Sequence, residues 1–266
     1  MSAPLQQLLE IMATLRDPQK GCAWDQQQTF ETIVPHTLEE AYEVADSIEQ
    51  QDFVGLKDEL SDLLFQVIFY AQLGKEAGLF EFDDIVTGLN DKLVRRHPHV
   101  FDTPNSTLSD AELNAQWQAI KDQERAATPA RFGDDVPLNL PALSRAAKIQ
   151  KRAAALGFDW PTYQGALDKV AEEVTEVSEA LSSDPHSEHS AEELGDLLFA
   201  TVNVARHIKR DPEQLLRRAS DKFIARFSAI EGILAEREIA LPDASLAQMD
   251  DAWEEIKRRQ RSGENN

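Results

Sequence analysis

The residues of this chain with the clearest chemical potential are acids. Glu39, Glu40 and Glu43 are followed by Glu59 and Asp62, and the arrangement returns as Glu172, Glu173 and Glu176 followed by Glu193 and Asp196. Residues three apart lie on one face of a helix. If these segments are helical, Glu40 with Glu43, and Glu59 with Asp62, each present two carboxylates in one direction. On an antiparallel helix pair the four would converge, and Glu173, Glu176, Glu193 and Asp196 would do the same in the second copy. Such a group repels itself by on the order of several kcal/mol unless a cation sits within it. All-oxygen donors suit hard divalent ions, Mg²⁺ with Mn²⁺ as a substitute, and Mg²⁺ keeps positions for water and phosphate oxygens.

A single acidic pair would carry no such meaning. With 48 acids in 266 residues, a pair three apart arises by chance in about 3% of registers, and most are solvated helix faces. The five-acid pattern occurring twice is what separates it from that background. Both aspartates also adjoin apolar runs, Asp62 before Leu63-Leu64-Phe65 and Asp196 before Leu197-Leu198-Phe199. A carboxylate there loses part of its hydration, which a decorative charge would avoid.

The elements that must position these acids read as helices. Residues 36–54 and 56–73 carry apolar side chains at helical spacing, as do 165–181, 190–208, 213–237 and 246–260. No series of alternating strands with hairpin turns is readable. The expected fold is all-α, with antiparallel helices joined by short loops burying their apolar stripes in bundles.

The same stretches disclose an internal duplication. LEEAYEVAD at 38–46 matches AEEVTEVSE at 171–179, and KDELSDLLFQV at 57–67 matches AEELGDLLFAT at 191–201. DKLVRR at 91–96 matches DKFIAR at 221–226, AQWQAIK at 115–121 matches DAWEEIK at 251–257, and Trp24 after Gly21 is echoed by Trp160 after Gly157. Two copies of one module therefore fill nearly the whole chain. The expected division is a first module over 1–126, a Pro-containing exposed linker over 127–143, a second module over 144–260 and a frayed tail over 261–266.

Composition removes several function classes. A net charge of −21 disfavours sequence-independent duplex nucleic-acid binding, which needs a surplus of Lys and Arg. The single Cys22 excludes an internal disulfide framework and a CxxC zinc site. No apolar run approaches a membrane span and no secretory signal is readable, so a reducing cytoplasm is the expected setting. A ferritin-like di-iron site would need Glu-x-x-His, a zinc hydrolase HExxH and a P-loop GxxxxGK[ST]; none is present.

The paired EExxE and ExxD runs resemble the MazG family of nucleoside triphosphate pyrophosphohydrolases. GCAWD near the start and KLVRRHPHVF in the first copy resemble its full-length, two-module bacterial members. The resemblance implies an all-α module working as a homodimer, a carboxylate quartet holding Mg²⁺, and hydrolysis of a nucleoside triphosphate to the monophosphate and pyrophosphate. It also implies that the second module carries the main site, with Glu172, Glu173, Glu176, Glu193 and Asp196 as catalytic acids, and that the first is structural, regulatory or a second site.

Such a reaction needs cations on the departing pyrophosphate. Lys222 and Arg226 are four apart on one helix face, as are Lys92 and Arg96; each pair would suit a triphosphate clamp or be an ordinary surface pair. The resemblance carries substrate contact onto Lys169, His189, Glu192, Lys222, Arg226, Trp253 and Lys257. Trp117 and Lys121 are the first-copy counterparts of the last two, beside Glu40, Glu43, Glu59 and Asp62 as a possible second site. A Trp with a cation four residues on either receives a base or ribose or anchors the last helix to the core. Glu172 and Glu39 precede the inward pair by one residue and would hold a water, act as general base or face solvent. Two departures stand out: His189 where the family often has lysine, which makes any phosphate contact pH-dependent, and Ala23 where it usually has proline. A rival reading from another class is a non-enzymatic acidic helical module that senses a nucleotide or binds a protein.

Overall fold

A computed structural model of the chain describes residues 3–102, 108–126 and 131–262. The fold is all-α: among the described residues there are helices and turns and no strand. The chain divides into two compact units, Met1–Pro129 and Ala130–Asn266.

In the first unit α1 (Ala3–Leu15) and the short α2 (Ala23–Gln27) precede a long hairpin of α3 (Phe30–Gln50) and α4 (Gly55–Glu76). Then follow α5 (Phe82–Arg96), α6 (Pro98–Phe101) and α7 (Asp110–Ala126). Thr29 starts α3 through a capping box with Thr32, which satisfies donors the first turn leaves without partners. Gln51 ends it in the left-handed conformation at φ 59°. α4 packs on α3 and α1 and is followed by α5, against which α7 lies. The core consists of Met12, Ile33, Ile68, Phe69 and Leu73, flanked by Leu5, Leu8, Leu9, Phe30 and Phe65.

The second unit repeats the plan. α8 (Ala142–Ala155) precedes the hairpin of α9 (Tyr163–Ser183) and α10 (Glu188–His207), which leads to α11 (Pro212–Glu236) and, after a 3₁₀ turn at Leu241–Asp243, α12 (Leu246–Ser262). Ser187 caps α10, and Asp211 caps α11 ahead of a first-turn proline, Pro212. α10 packs on α9 and α8, and α12 packs on α11, where Ile230, Ile233, Leu234, Ala252 and Ile256 form a buried cluster. Residues 131–141, within the stretch expected as an exposed linker, lie in this unit: Val136 is buried and Asp135 pairs with Arg152 of α8. No helix is long and apolar enough to cross a membrane among the described residues.

Candidate active site

Each hairpin carries its acids on the facing sides of its two helices. In the second unit Glu173 of α9 and Glu193 and Asp196 of α10 each offer an oxygen within 4.8 Å of the others. In the first unit the close group is Glu40 and Glu43 of α3 with Glu59 of α4. Three acids of each expected quartet thus gather closely, and the outlying member differs: Glu176 in the second unit, Asp62 in the first. Residues three apart diverge by roughly 60° around a helix, so both members of a pair need not reach one point. The outliers remain in electrostatic range. Burial, then repulsion from Glu173, Glu193 and Glu172, raises the Glu176 carboxyl against an opposing pull from Lys169. Burial, then Asp62 and Glu43, raises Glu40, and burial, Glu43 and Asp62 raise Glu59.

The second cluster is the more enclosed. Glu173 is only 3% exposed. Its Oε1 accepts Lys169 Nζ at 2.6 Å, and Lys169 also reaches Glu172 Oε1 at 2.9 Å. Those two carboxylates push the lysine pKa upward. Glu173 Oε2 is buried with no hydrogen-bond partner. A buried, orphaned carboxylate oxygen is costly as it stands, and a small hard cation satisfies it. Oxygens sharing an octahedral Mg²⁺ stand roughly 3–4 Å apart, a spacing the trio approaches. The donor set therefore fits a divalent ion.

Beside this trio opens a cleft of about 910 Å³, into which Lys169, Glu173 and Asp196 face. Its remaining walls escaped the sequence reading. Gln150, Asn203, Arg206 and Asp159 contribute polar groups, and Phe132, Phe158, Trp160 and Phe199 contribute rings. Arg206 Nη1 donates to Asp159 Oδ2 at 2.9 Å and Nε to Asn203 Oδ1 at 2.8 Å, tying the 156–160 loop to α10. The Arg206 hydrogen bonds hold the Asp159 carboxyl below its ordinary range. The one advance sign of this wall was the repeated tryptophan, Trp160.

The other expected contacts lie elsewhere. His189 Nδ1 sits 3.4 Å from Glu193 Oε1 at the cluster's edge, with its ring largely exposed, and Glu192 is exposed. Lys222, Arg226, Trp253 and Lys257 form a separate group on α11 and α12 outside the cleft lining. The Arg226 guanidinium lies 5.7 Å from the Trp253 ring centroid, Phe223 packs on that ring at 5.3 Å, and Lys257 pairs with Glu254 at 2.6 Å. Arg226 Nε donates to Gln260 Oε1 at 2.9 Å. In the first unit Arg96 meets an acid instead: its Nη2 reaches Glu124 at 2.6 Å, and Arg95 reaches the same carboxylate at 2.7 Å. Lys92 is exposed, and Lys121 Nζ lies 3.4 Å from the Trp117 ring centroid.

Fold and site together define an all-α, tandem-module protein whose helical hairpins carry clustered carboxylates, one cluster opening on a ring-lined cleft. The chain belongs to the MazG nucleotide pyrophosphohydrolase family, whose domain model matches residues 28–101 and again 162–229. It is 49% identical over 258 residues to the nucleoside triphosphate pyrophosphohydrolase of Escherichia coli K12, covering 96% of this chain and 98% of that one. It is 41% identical over 254 residues to the nucleoside triphosphate pyrophosphohydrolase/pyrophosphatase MazG of Thermotoga maritima, covering 95% of each.

Proposed function

We propose that this chain hydrolyses nucleoside triphosphates to the monophosphate and pyrophosphate, with Mg²⁺ and in its second module. The observation that carries the reading is Glu173, a buried carboxylate with one unsatisfied oxygen, grouped with Glu193 and Asp196 at the edge of a nucleotide-sized cleft. The activity is supported by the relatives at 49% and 41% identity, both named nucleoside triphosphate pyrophosphohydrolases.

Glu173, Glu193 and Asp196 would hold the ion, with Glu176 as a further acid beside them. A divalent cation there supplies charge to polarise an α-phosphoryl oxygen and to acidify a bound water. Glu172, next to the trio and steadied by Lys169, orients the attacking water. Lys169 is the cation nearest the reacting phosphate. The family resemblance assigns the departing pyrophosphate to Lys222 and Arg226, which stand on α11 outside the cleft lining, Arg acting through paired donors and Lys as a point charge. The ring-lined cleft takes the nucleoside.

The choice of module rests partly on Arg226. Among the described residues Arg226 has a neutral hydrogen-bond partner, Gln260, and no ion pair, whereas Arg95 and Arg96 share the one carboxylate of Glu124. The working form is a homodimer. Val174 of α9, Leu194 and Leu198 of α10, and Phe223 and Ile224 of α11 are each at least half exposed, apolar surface of the kind that a second copy covers.

Product analysis tests the reading on a panel of NTPs and dNTPs with Mg²⁺. Pyrophosphate plus monophosphate, lost in Glu173→Ala and kept in Glu40→Ala, is the expected result. Loss confined to Glu40→Ala would move the site to the first module. No metal-dependent pyrophosphate from folded protein would leave a non-enzymatic nucleotide-binding module.

A further inference from the structure

Residues 131–141 are built into the second module in a way that bears on the cleft. Resting on the nucleotide reading above, we propose that this segment is part of the substrate site, with Phe132 as a wall against which the nucleobase packs. The segment is fixed at several points. The Arg131 backbone N–H donates to Asp134 Oδ2 at 2.8 Å, and that of Val136 donates to the Gly133 carbonyl at 2.9 Å. Gly133 sits at φ +94°, a turn conformation that excludes most side chains. Val136 is 2% exposed, and Asp135 is ion-paired to Arg152. Further on, the Leu143 N–H donates to Glu213 Oε1 at 3.1 Å.

A segment anchored this firmly has the means to bury its aromatic ring, yet Phe132 stays 58% exposed and lines the cleft beside Ile149 and Ala153 of α8. Trp160 lines the same cleft, its ring packed against Gly165: a Cβ there would lie 2.3 Å from its Cδ1, so the ring occupies the space that glycine leaves. Gln150 adds an independent sign of a ligand. It is 6% exposed, its Nε2 donates to the Phe199 carbonyl at 2.8 Å, and its Oε1 has no partner. Because the carbonyl requires the amide nitrogen on its side, the unfilled group is an acceptor, suited to an N–H on a base edge after a small rotation of the amide. Exposed rings, one buried orphan acceptor and an adjoining acid and lysine group match a base on one side and a triphosphate on the other. Base–aromatic packing tolerates every base, so Phe132 raises affinity for nucleotides generally.

The test compares Phe132→Ala and Phe132→Trp with the unaltered full-length chain. It reads KM and kcat for several NTPs, and the inhibition constant of inorganic tripolyphosphate, which has no base. The expected result is a roughly tenfold rise in NTP KM for Phe132→Ala, kcat within about twofold, recovery in Phe132→Trp, and an unchanged tripolyphosphate constant. An unchanged KM, or a tripolyphosphate constant that rises in parallel, would overturn the proposal, since the residue would then be idle or merely structural. Absence of NTP turnover in the unaltered chain would remove the underlying activity and the proposal with it, an outcome distinct from either.

Discussion

Phe69 and Asn203 occupy matching positions, each two helical turns beyond the aspartate of its module's ExxD pair. The Phe69 ring is fully buried, meeting Phe65 edge-on at 5.8 Å with the Arg16 guanidinium 5.4 Å from its centroid. Asn203 is half-buried on the wall of the cleft, its Oδ1 accepting from Arg206. One residue completes a hydrophobic core and the other keeps a cleft open.

Exchanging the two separates these roles. Asn203→Phe introduces a ring into the cleft and should raise NTP KM at least tenfold while the protein still folds. Phe69→Asn leaves a cavity and a buried amide, costing about 3–5 kcal/mol by analogy with large-to-small core changes. Denaturant unfolding and steady-state kinetics read the pair, and a Phe69→Asn chain that gained a second active site would contradict the assignment of turnover to the second module.

The raised carboxyls of Glu176, Glu40 and Glu59 disfavour their ionised forms in the fold. Their cost is therefore present above the folded pKa and is relieved as pH falls through it. At pH 7 a bound cation should relieve it as well. MgCl₂ is expected to raise the thermal midpoint relative to EDTA, and Glu173→Gln should shrink the shift. An equal shift in that variant would mean that the ion binds elsewhere.

Gln260→Glu gives Arg226 the kind of partner that Arg96 has. If the guanidinium charge is needed on the pyrophosphate, kcat/KM should fall about tenfold or more, with stability unchanged or slightly higher. Kinetics that do not change would remove Arg226 from substrate contact.

Glu124 offers a pH signature confined to the first module. Hydrogen bonds from Arg96 and Arg95 pull its carboxyl from the ordinary 4.5 down to about 2. A carboxyl depressed in this way adds stability above about pH 4.5, and that contribution disappears as pH falls toward 2. The Glu124→Gln chain should melt below the unaltered chain at pH 6, and the gap should close on acidification. A constant gap from pH 6 to pH 3 would show packing rather than charge as the cause.

The amino-acid order by itself determined the all-α class, the duplication and the paired acids. Helical periodicity is local: residues 56–73 and 190–208 already carry the stripes that place α4 over Gly55–Glu76 and α10 over Glu188–His207. Spacing three apart likewise put each acid pair on one face. The tertiary structure alone decided which three acids of each four gather, because convergence depends on how two helices face one another and not on the register of either. It also decided that Phe132, Gln150, Trp160 and Asn203, from four separate segments, share one cleft with Glu173. Only Trp160 falls in the repeated pattern, and the packing of α8 on α10, with residues 131–141 held to α8, brings the four together. The different partners of Arg226 and Arg96, Gln260 and Glu124, were likewise invisible until α11 met α12 and α5 met α7. Side chains from distant segments can neutralise one another only once folding has placed them in contact.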